Sequence, residues 1–392
     1  MGSARAPSPN ASVGMEEEFL LLDPKSGAPV PAAATILEQL RTTAPDWQGR
    51  LKPELAASQL EATTGICDTL SELRGQLRSG RRLLARAARE HQGLLAASGT
   101  PPGQTRFLPG DGARFERITD LYRGVVADYQ TCGCHVHVGV ADRSTAVEII
   151  NHLRPWLPTL LAISANSPFC NGADTGYASW RMVQQTRFPG AGVPPHFQSV
   201  QDYDAELGKL VDCGCLVDSR MTFWLARPSE LFQTVEVRAA DVPPTAGEAV
   251  LQAALVRGLV RAAITEIERG RPAPVISDQV AAAALWAAAR YGLRGFAVDP
   301  WQAKRVPAAE MVRALIRKIT PALEDSNELA WVRSNLRWLL QHGTGADRQR
   351  RSARHGLAAL THYLAEQTCW EESEAARPVL SDATTDVQRT SP

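Results

Sequence analysis

The chain has 392 residues, 44% hydrophobic and 21% charged, with 42 basic against 42 acidic residues and a formal charge of zero. That composition excludes a disordered or fibrous chain, and the charge balance argues against a general nucleic-acid or anionic-membrane binder. The length accommodates one large domain or two ordinary ones. Seven cysteines, an odd number scattered through apolar or strand-like stretches, fit reduced thiols better than a disulfide framework. Cys132/Cys134 and Cys213/Cys215 are spaced Cys-x-Cys, unlike the wider spacing of a four-thiolate zinc site. The first ten residues lack an apolar signal region, and the most apolar helical run, Val280 to Ala289, is too short to span a bilayer. A cytoplasmic protein is expected.

Residues 1–12 read as a disordered leader. Val13 to Asp23 reads as a strand ended by Asp23-Pro24 and a turn at Gly27. Alternation puts Met15, Glu17, Phe19 and Leu21 on one side and Glu16 and Glu18 on the other. Two carboxylates two residues apart on one face repel each other unless a cation lies between them. A short helix is expected over 33–43 and a strand over 55–67, in which Gln59, Glu61 and Thr63 share a face. The capping box Thr69-Leu-Ser-Glu72 opens a helix that runs to about Ala97. A Pro- and Gly-rich loop over 100–114 and a helix over 115–129 then lead to Cys132-Gly-Cys-His-Val-His-Val-Gly-Val140.

That stretch alternates strictly. Its cysteines and valines form a core side; Gly133, His135, His137 and Gly139 form the other, where the glycines leave room for a ligand or metal. Read alone, it suits two solvated histidines equally well. A helix over 145–165, bent at Pro155 and Pro158, delivers the chain to the irregular segment Asn166 to Arg181, a surface connection or a substrate lid. A second loop over 188–197 and a helix over 203–211 precede strands at 220–226 and 231–240. In the latter, Thr234, Glu236 and Arg238 share a face. Everything after Pro244 reads as helical, over 245–269, 277–290, 307–319, 322–341 and 346–366, before a disordered tail at 367–392. The order predicts a single α+β domain over 13–366 with a largely antiparallel sheet in 13–243 and a helical part in 244–366.

Glu16, Glu18, Glu61, His135, His137, Glu236 and Arg238 come from four strands, each on the side opposite its apolar stripe. So many carboxylates need divalent cations among them, and oxygen-rich ligands favour Mg²⁺ or Mn²⁺ over Zn²⁺. Arg238 then points at an anion, which suits phosphoryl transfer from a nucleotide. There is no Walker A sequence, Gly-x-Gly-x-x-Gly or Gly-x-Ser-x-Gly motif, so metals and the sheet would hold the nucleotide.

Gly14-Met-Glu-Glu-Glu-Phe19, Cys132 to Gly139, Ala165-Asn-Ser-Pro-Phe169 with Gly172, Asp174-Thr-Gly-Tyr-Ala-Ser-Trp-Arg181 and Glu236-Val-Arg-Ala-Ala-Asp241 together resemble the carboxylate–amine ligases of the glutamate–cysteine ligase type 2 group. The resemblance runs in order from Val13 to Leu364. It implies a glutamine-synthetase-like fold: a curved antiparallel sheet, helices on its convex side, and ATP with two or three Mg²⁺ on its concave face. It also implies an amide-forming reaction through an acyl phosphate. The substrates would be a small carboxylate, an amino acid such as glutamate, and an amine or amino acid.

By the same resemblance the metal ligands fall on Glu16, Glu18, Glu61, His135 and Glu236, and the nucleotide contacts on Arg238, His137 and Glu18. Arg181 falls where a substrate carboxylate is bound, and Arg238, Glu236 and Arg181 make up the catalytic set. Many relatives carry Asn-Arg-Trp where this chain has Ala284-Leu285-Trp286, so substrate identity does not transfer. Two other readings stand beside the ligase: a metal-dependent amidohydrolase built on His135-Val-His137, and a binding module presenting Arg348-Gln-Arg-Arg351 to an acidic partner. No nucleic-acid or membrane partner is expected, and the oligomeric state, homo-oligomers included, is open.

Overall fold

The computed structural model describes residues 12–370. The leader expected at 1–12 therefore lies outside the described residues apart from Ser12, as does the tail expected at 367–392 beyond Trp370; Gln367 and Thr368 close a helix instead.

The strands are β1 Val13–Leu22, β2 Leu51–Pro53, β3 Gln59–Thr63, β4 Leu94–Ala96, β5 Gly133–Gly139, β6 Phe169–Cys170, β7 Ala173–Asp174, β8 Ala191–Gly192, β9 Phe223–Trp224, β10 Ala226–Pro228, β11 Thr234–Asp241, β12 Phe296–Asp299 and β13 Lys304–Pro307. The helices are α1 Ala33–Thr43, α2 Leu70–Glu90, α3 Ala113–Tyr122, α4 Arg143–Leu153, α5 Leu157–Ser164, α6 Trp180–Gln185, α7 Val200–Asp212, α8 Ala246–Glu268, α9 Asp278–Tyr291, α10 Ala308–Asp325, α11 Leu329–His342, α12 Gly345–Ala353 and α13 Leu357–Thr368.

Seven strands form one antiparallel sheet in the order β10-β11-β5-β1-β3-β2, with β4 pairing the far end of β1. The chain is thus α+β, as expected, and the alternation of the sequence is the alternation of the sheet. Met15, Cys134, Val136, Val138, Val235 and Val237 face a core built with α4, α5 and α8, which buries Val147, Ile150, Leu157, Leu161, Val250, Ala254 and Leu255 among others. Helix α8 is buried over most of its length, which is why it is apolar nearly all round. The capping box predicted for α2 is present, with Glu72 N–H donating to Thr69. All seven cysteines are free thiols, and Cys132 and Cys134 lie buried on the core side.

Several boundaries differ from expectation. The segment expected as one strand over 55–67 is a continuous strand only from Gln59 to Thr63, with isolated bridges at Ala56 and Cys67, and the short β2 before it adds an edge. Pro155 and Pro158 separate α4 from α5 instead of bending one helix, because a proline ring excludes the carbonyl of the preceding turn. The strand expected over 220–226 is a 3₁₀ turn at Ser219–Met221 followed by β9, and β10 begins at Ala226. The C-terminal part is not wholly helical: β12 and β13 form a hairpin, whose four-residue arms are too short to stand out as alternation. Conversely, α10 runs through Pro321, its end held by the buried Ile319, Ala322 and Leu323. The helix expected over 346–366 breaks before Gly356, which adopts φ of +96° and so leaves the helical region.

The run Arg348 to Arg351 is not a free basic face. Arg348 is buried against Glu248 at 2.6 Å, Arg350 forks onto Asp174 at 2.8 Å through both contacts, and Arg351 donates to the His342 carbonyl. No described helix is long and apolar enough to cross a membrane.

Candidate active site

Strand register brings the predicted polar side chains together. Glu16 faces His135 across β1 and β5, Glu18 faces Glu61 across β1 and β3, and Glu236 faces His137 across β11 and β5. Directly opposed residues sit within about 4.5–5.5 Å at Cβ, so three ladders make one continuous polar surface. A β-bulge between Val237 and Ala240 resets the face, and Asp241 regains the polar side opposite Gly133.

Glu17 shows what the other face does with a charge. It is buried with Arg81 of α2 in a two-bond pair at 2.6 and 3.0 Å, and Arg81 also donates to the carbonyls of Pro243, Pro244 and Thr368. Such a pair ties β1 and α2 to the turn before α8 and to the end of α13, and is structural.

On the polar face two groups of three potential ligands form, each with ligand atoms mutually within 4.8 Å: Glu16, His137 and Glu236, and Glu18, Glu54 and Glu61. His137 Nδ1 lies 3.0 Å from Thr234 Oγ1, and the buried Nε2 has no hydrogen-bond partner. With Nδ1–H donating to Thr234, the Nε2 lone pair faces Glu16 Oε1 at 3.6 Å, the tautomer a metal ligand requires. This orphaned atom beside carboxylates is the observation that fits a divalent cation. His135, to which the resemblance assigns a ligand role, lies between the groups, its Nδ1 3.1 Å from Glu16 and 3.2 Å from Arg238 Nη1, its Nε2 3.7 Å from Glu18.

The groups differ electrostatically. Burial raises the Glu16 and Glu236 carboxyls, but His135 and His137 outweigh it at Glu16, and Arg238 and Arg227 outweigh it at Glu236, holding both far below the ordinary carboxylate range. Glu54 goes the other way, pushed well up by burial and by the charges of Glu18 and Glu61, and burial with Glu16 likewise raises Glu61 against the pull of Lys52. Carboxylates that resist ionisation together are what a bound cation relieves.

Three contributors escaped the sequence reading. Glu54 sits in the connection between β2 and β3, outside any alternating run. Lys52 on β2 bonds Glu61 at 2.7 Å, and Arg227 on β10 forks onto Glu236 at 2.8 and 3.2 Å. Both edge strands are only three residues long.

Arg181, on α6, is fully buried at one end of the polar face. Its Nη2 donates to the Arg238 carbonyl at 3.1 Å, and its Nη1 lies 3.7 Å from Asp241, yet Nε and Nη1 have no hydrogen-bond partner. The guanidinium occupies the space a Cβ at Gly133 would take, which explains glycine there. At the opposite end a groove of about 1020 Å³ runs past Gly14, Glu16, His137 and Phe232 toward Arg261 and Lys318. It is the right size for a nucleotide-scale ligand.

Residues 12–376 match the model of glutamate–cysteine ligase family 2. The relative named "Putative glutamate--cysteine ligase 2-2" from Saccharopolyspora erythraea is 55% identical over 349 residues, 88% of this chain and 89% of that protein. The relative named "Putative glutamate--cysteine ligase 2-1" from Nocardia farcinica is 42% identical over 360 residues, 91% of this chain and 93% of that protein. Among solved structures, the glutamate–cysteine ligase of Francisella tularensis in complex with AMP superposes with a TM-score of 0.67 at 15% identity, over 93% of this chain and 90% of that one. The bifunctional glutathione synthetase of Pasteurella multocida gives 0.65 at 16% identity, over 92% of this chain and 52% of that one. At those identities the structures speak for the fold alone. The family match and the close relatives go further: this chain belongs to glutamate–cysteine ligase family 2 and is an ATP-dependent ligase that forms carbon–nitrogen bonds.

Proposed function

We propose that the protein activates the side-chain carboxylate of an amino acid, glutamate being the leading candidate, as an acyl phosphate and transfers the acyl group to cysteine or another amine. The observation that carries this reading is the pair of three-ligand groups flanking Arg238 on one sheet face. The sheet is then the curved platform of a glutamine-synthetase-like ligase, with helices on its convex side.

Glu16, His137 and Glu236 would hold one divalent cation and Glu18, Glu54 and Glu61 another, with His135 between them. Mg²⁺, or Mn²⁺ in its place, held there would supply positive charge against the nucleotide phosphates. One imidazole among five carboxylates favours these hard cations over the Zn²⁺ of an amidohydrolase.

The nucleotide enters from the groove beside Gly14 and Phe232, with its phosphates toward Arg238. A carboxylate oxygen of the acid attacks the γ-phosphorus, the bond to the β-phosphate oxygen breaks, and ADP leaves. The amine, after losing a proton, attacks the acyl carbon, and phosphate departs as the amide forms. Arg238 holds the equatorial oxygens of the γ-phosphoryl group with paired N–H donors. Arg181 offers two donors without a hydrogen bond, Nε and Nη1, at the far end, suited to the carboxylate of the acid substrate, and because the side chain is buried that end of the face must open for loading.

The test is ADP release with Mg²⁺ across a matrix of amino acids and amines. Release that depends on both an acid and an amine supports the assignment; amide hydrolysis without ATP would sink it.

A further inference from the structure

Glu236 is the most contested carboxylate of the site. Arg238 approaches it from two residues along the same strand, through Nη1 to Oε1. A second guanidinium, Arg227, comes from the edge strand β10, where its backbone pairs directly with Glu236. Arg227 Nε donates to Oε2 at 2.8 Å and Nη2 to Oε1 at 3.2 Å, while its Nη1 is fixed to the Arg220 carbonyl at 3.0 Å. The side chain is largely enclosed, 16% exposed, so the fork is not a solvated surface pair.

A carboxylate offers about four lone-pair sites. Oε1 spends both of its own on Arg227 and Arg238, and Oε2 spends one on Arg227, which leaves one direction on Oε2 open. Without Arg227 the fork that holds Oε2 away is gone, and the carboxylate can rotate onto Arg238. A planar guanidinium and a carboxylate then close into a two-bond pair, which would occupy the ligand and the phosphate-binding cation together.

We propose that Arg227 is a positioning residue: by forking onto Glu236 from the edge strand it keeps that carboxylate from collapsing onto Arg238, so that Oε2 stays available to a divalent cation and Arg238 to a phosphoryl group. The inference rests on the proposed ligand role of Glu236. Partners that orient a metal-ligating group are worth roughly 10–100-fold in metal affinity, and that is the effect expected here. All the hydrogen bonds of the Arg227 guanidinium go to Glu236 and to the Arg220 carbonyl, so its loss is read first at the cation.

The experiment is Mn²⁺ binding to the chelator-treated protein without nucleotide, read by electron paramagnetic resonance of the free ion. E236Q identifies the Mn²⁺ site that depends on Glu236. R227Q is expected to weaken that same site by about 10–100-fold, and R227K, which keeps the charge but cannot fork, to weaken it as well. R114Q serves as the control, because Arg114 makes an equally regular fork onto Asp218, at 2.8 and 3.1 Å, beside the same 3₁₀ turn but away from the ligands; it should bind Mn²⁺ as the native chain does. If E236Q loses the site while R227Q, or R227K should R227Q fail to fold, retains native affinity, the inference is overturned, and a lowered melting temperature at native affinity counts the same way. If E236Q itself binds Mn²⁺ like the native protein, the ligand role of Glu236 fails first and the inference falls with it.

Discussion

The two carboxylate groups on the sheet share a face and a chemistry but not their counterions. Glu16 and Glu236 sit among two imidazoles and two guanidiniums, so their negative charge is already balanced by the fold. Glu18, Glu54 and Glu61 have one ammonium, Lys52, whose side chain is 45% exposed and bonds Glu61, and the edge of the His135 ring 3.7 Å from Glu18. The first group is a preformed electrostatic lattice, in which the arginines fix the direction of Glu236 before any cation arrives. The second is a repelling set that a cation completes. One site is therefore built for geometry and the other for affinity, and each can be broken separately.

The largest expected effect is on the geometric side. R238K keeps a positive charge but loses the planar fork, and arginines in such positions are worth about 10³–10⁵ in rate. We expect kcat for ADP release to fall at least about 10³-fold at saturating ATP, with a much smaller change in KM. A loss under about tenfold would return Arg238 to the status of an internal partner for Glu236.

Next comes Glu17, one residue from Glu16 on the opposite face. E17Q leaves Arg81 buried without its partner, which costs roughly 3–5 kcal/mol. The melting temperature should drop sharply while the folded fraction turns over at the native rate; equal loss of turnover in E16Q, E17Q and E18Q at unchanged stability would break the two-face division.

The contrast between the groups is sharpest without metal. For Glu54, whose carboxyl is raised, the cost of ionisation is absent at low pH and grows as pH rises above its ordinary value of 4.5. For Glu16, whose carboxyl is depressed, stabilisation is present above the ordinary range and is lost on acidification. In chelator at neutral pH, E54Q should therefore melt higher and E16Q lower than the native chain. Calorimetry that moved both variants the same way would erase the distinction. The smallest effect belongs to K52Q: a half-exposed single contact is worth about 0.2–1 kcal/mol, and added Mg²⁺ should remove even that difference in melting temperature.

The polar face itself was readable from the chain, because a strand repeats every two residues and four separate stretches each kept glutamate, histidine or arginine opposite an apolar stripe. Glu16, Glu18, Glu61, His135, His137, Glu236 and Arg238 all stand where that period puts them. The helix start at Thr69 was equally local, since a capping box closes within four residues. What period cannot supply is register between distant strands. That His137 stands with Glu16 and Glu236 while His135 lies between the two groups follows from the pairing of β5 with β1 and β11, where Thr234 meets His137 Nδ1 across 97 residues. Glu54 has no alternation to announce it, and Lys52 and Arg227 sit on three-residue edge strands that acquire a face only by pairing with β3 and β11. Arg81 reaches Glu17 over 64 residues, and Arg348, which reads as a solvated helix charge, finds Glu248 over 100. Side-chain direction within an element is set by backbone geometry and is written locally; which charge meets which is set by loop closure and packing, and only the assembled sheet and its helices decide it.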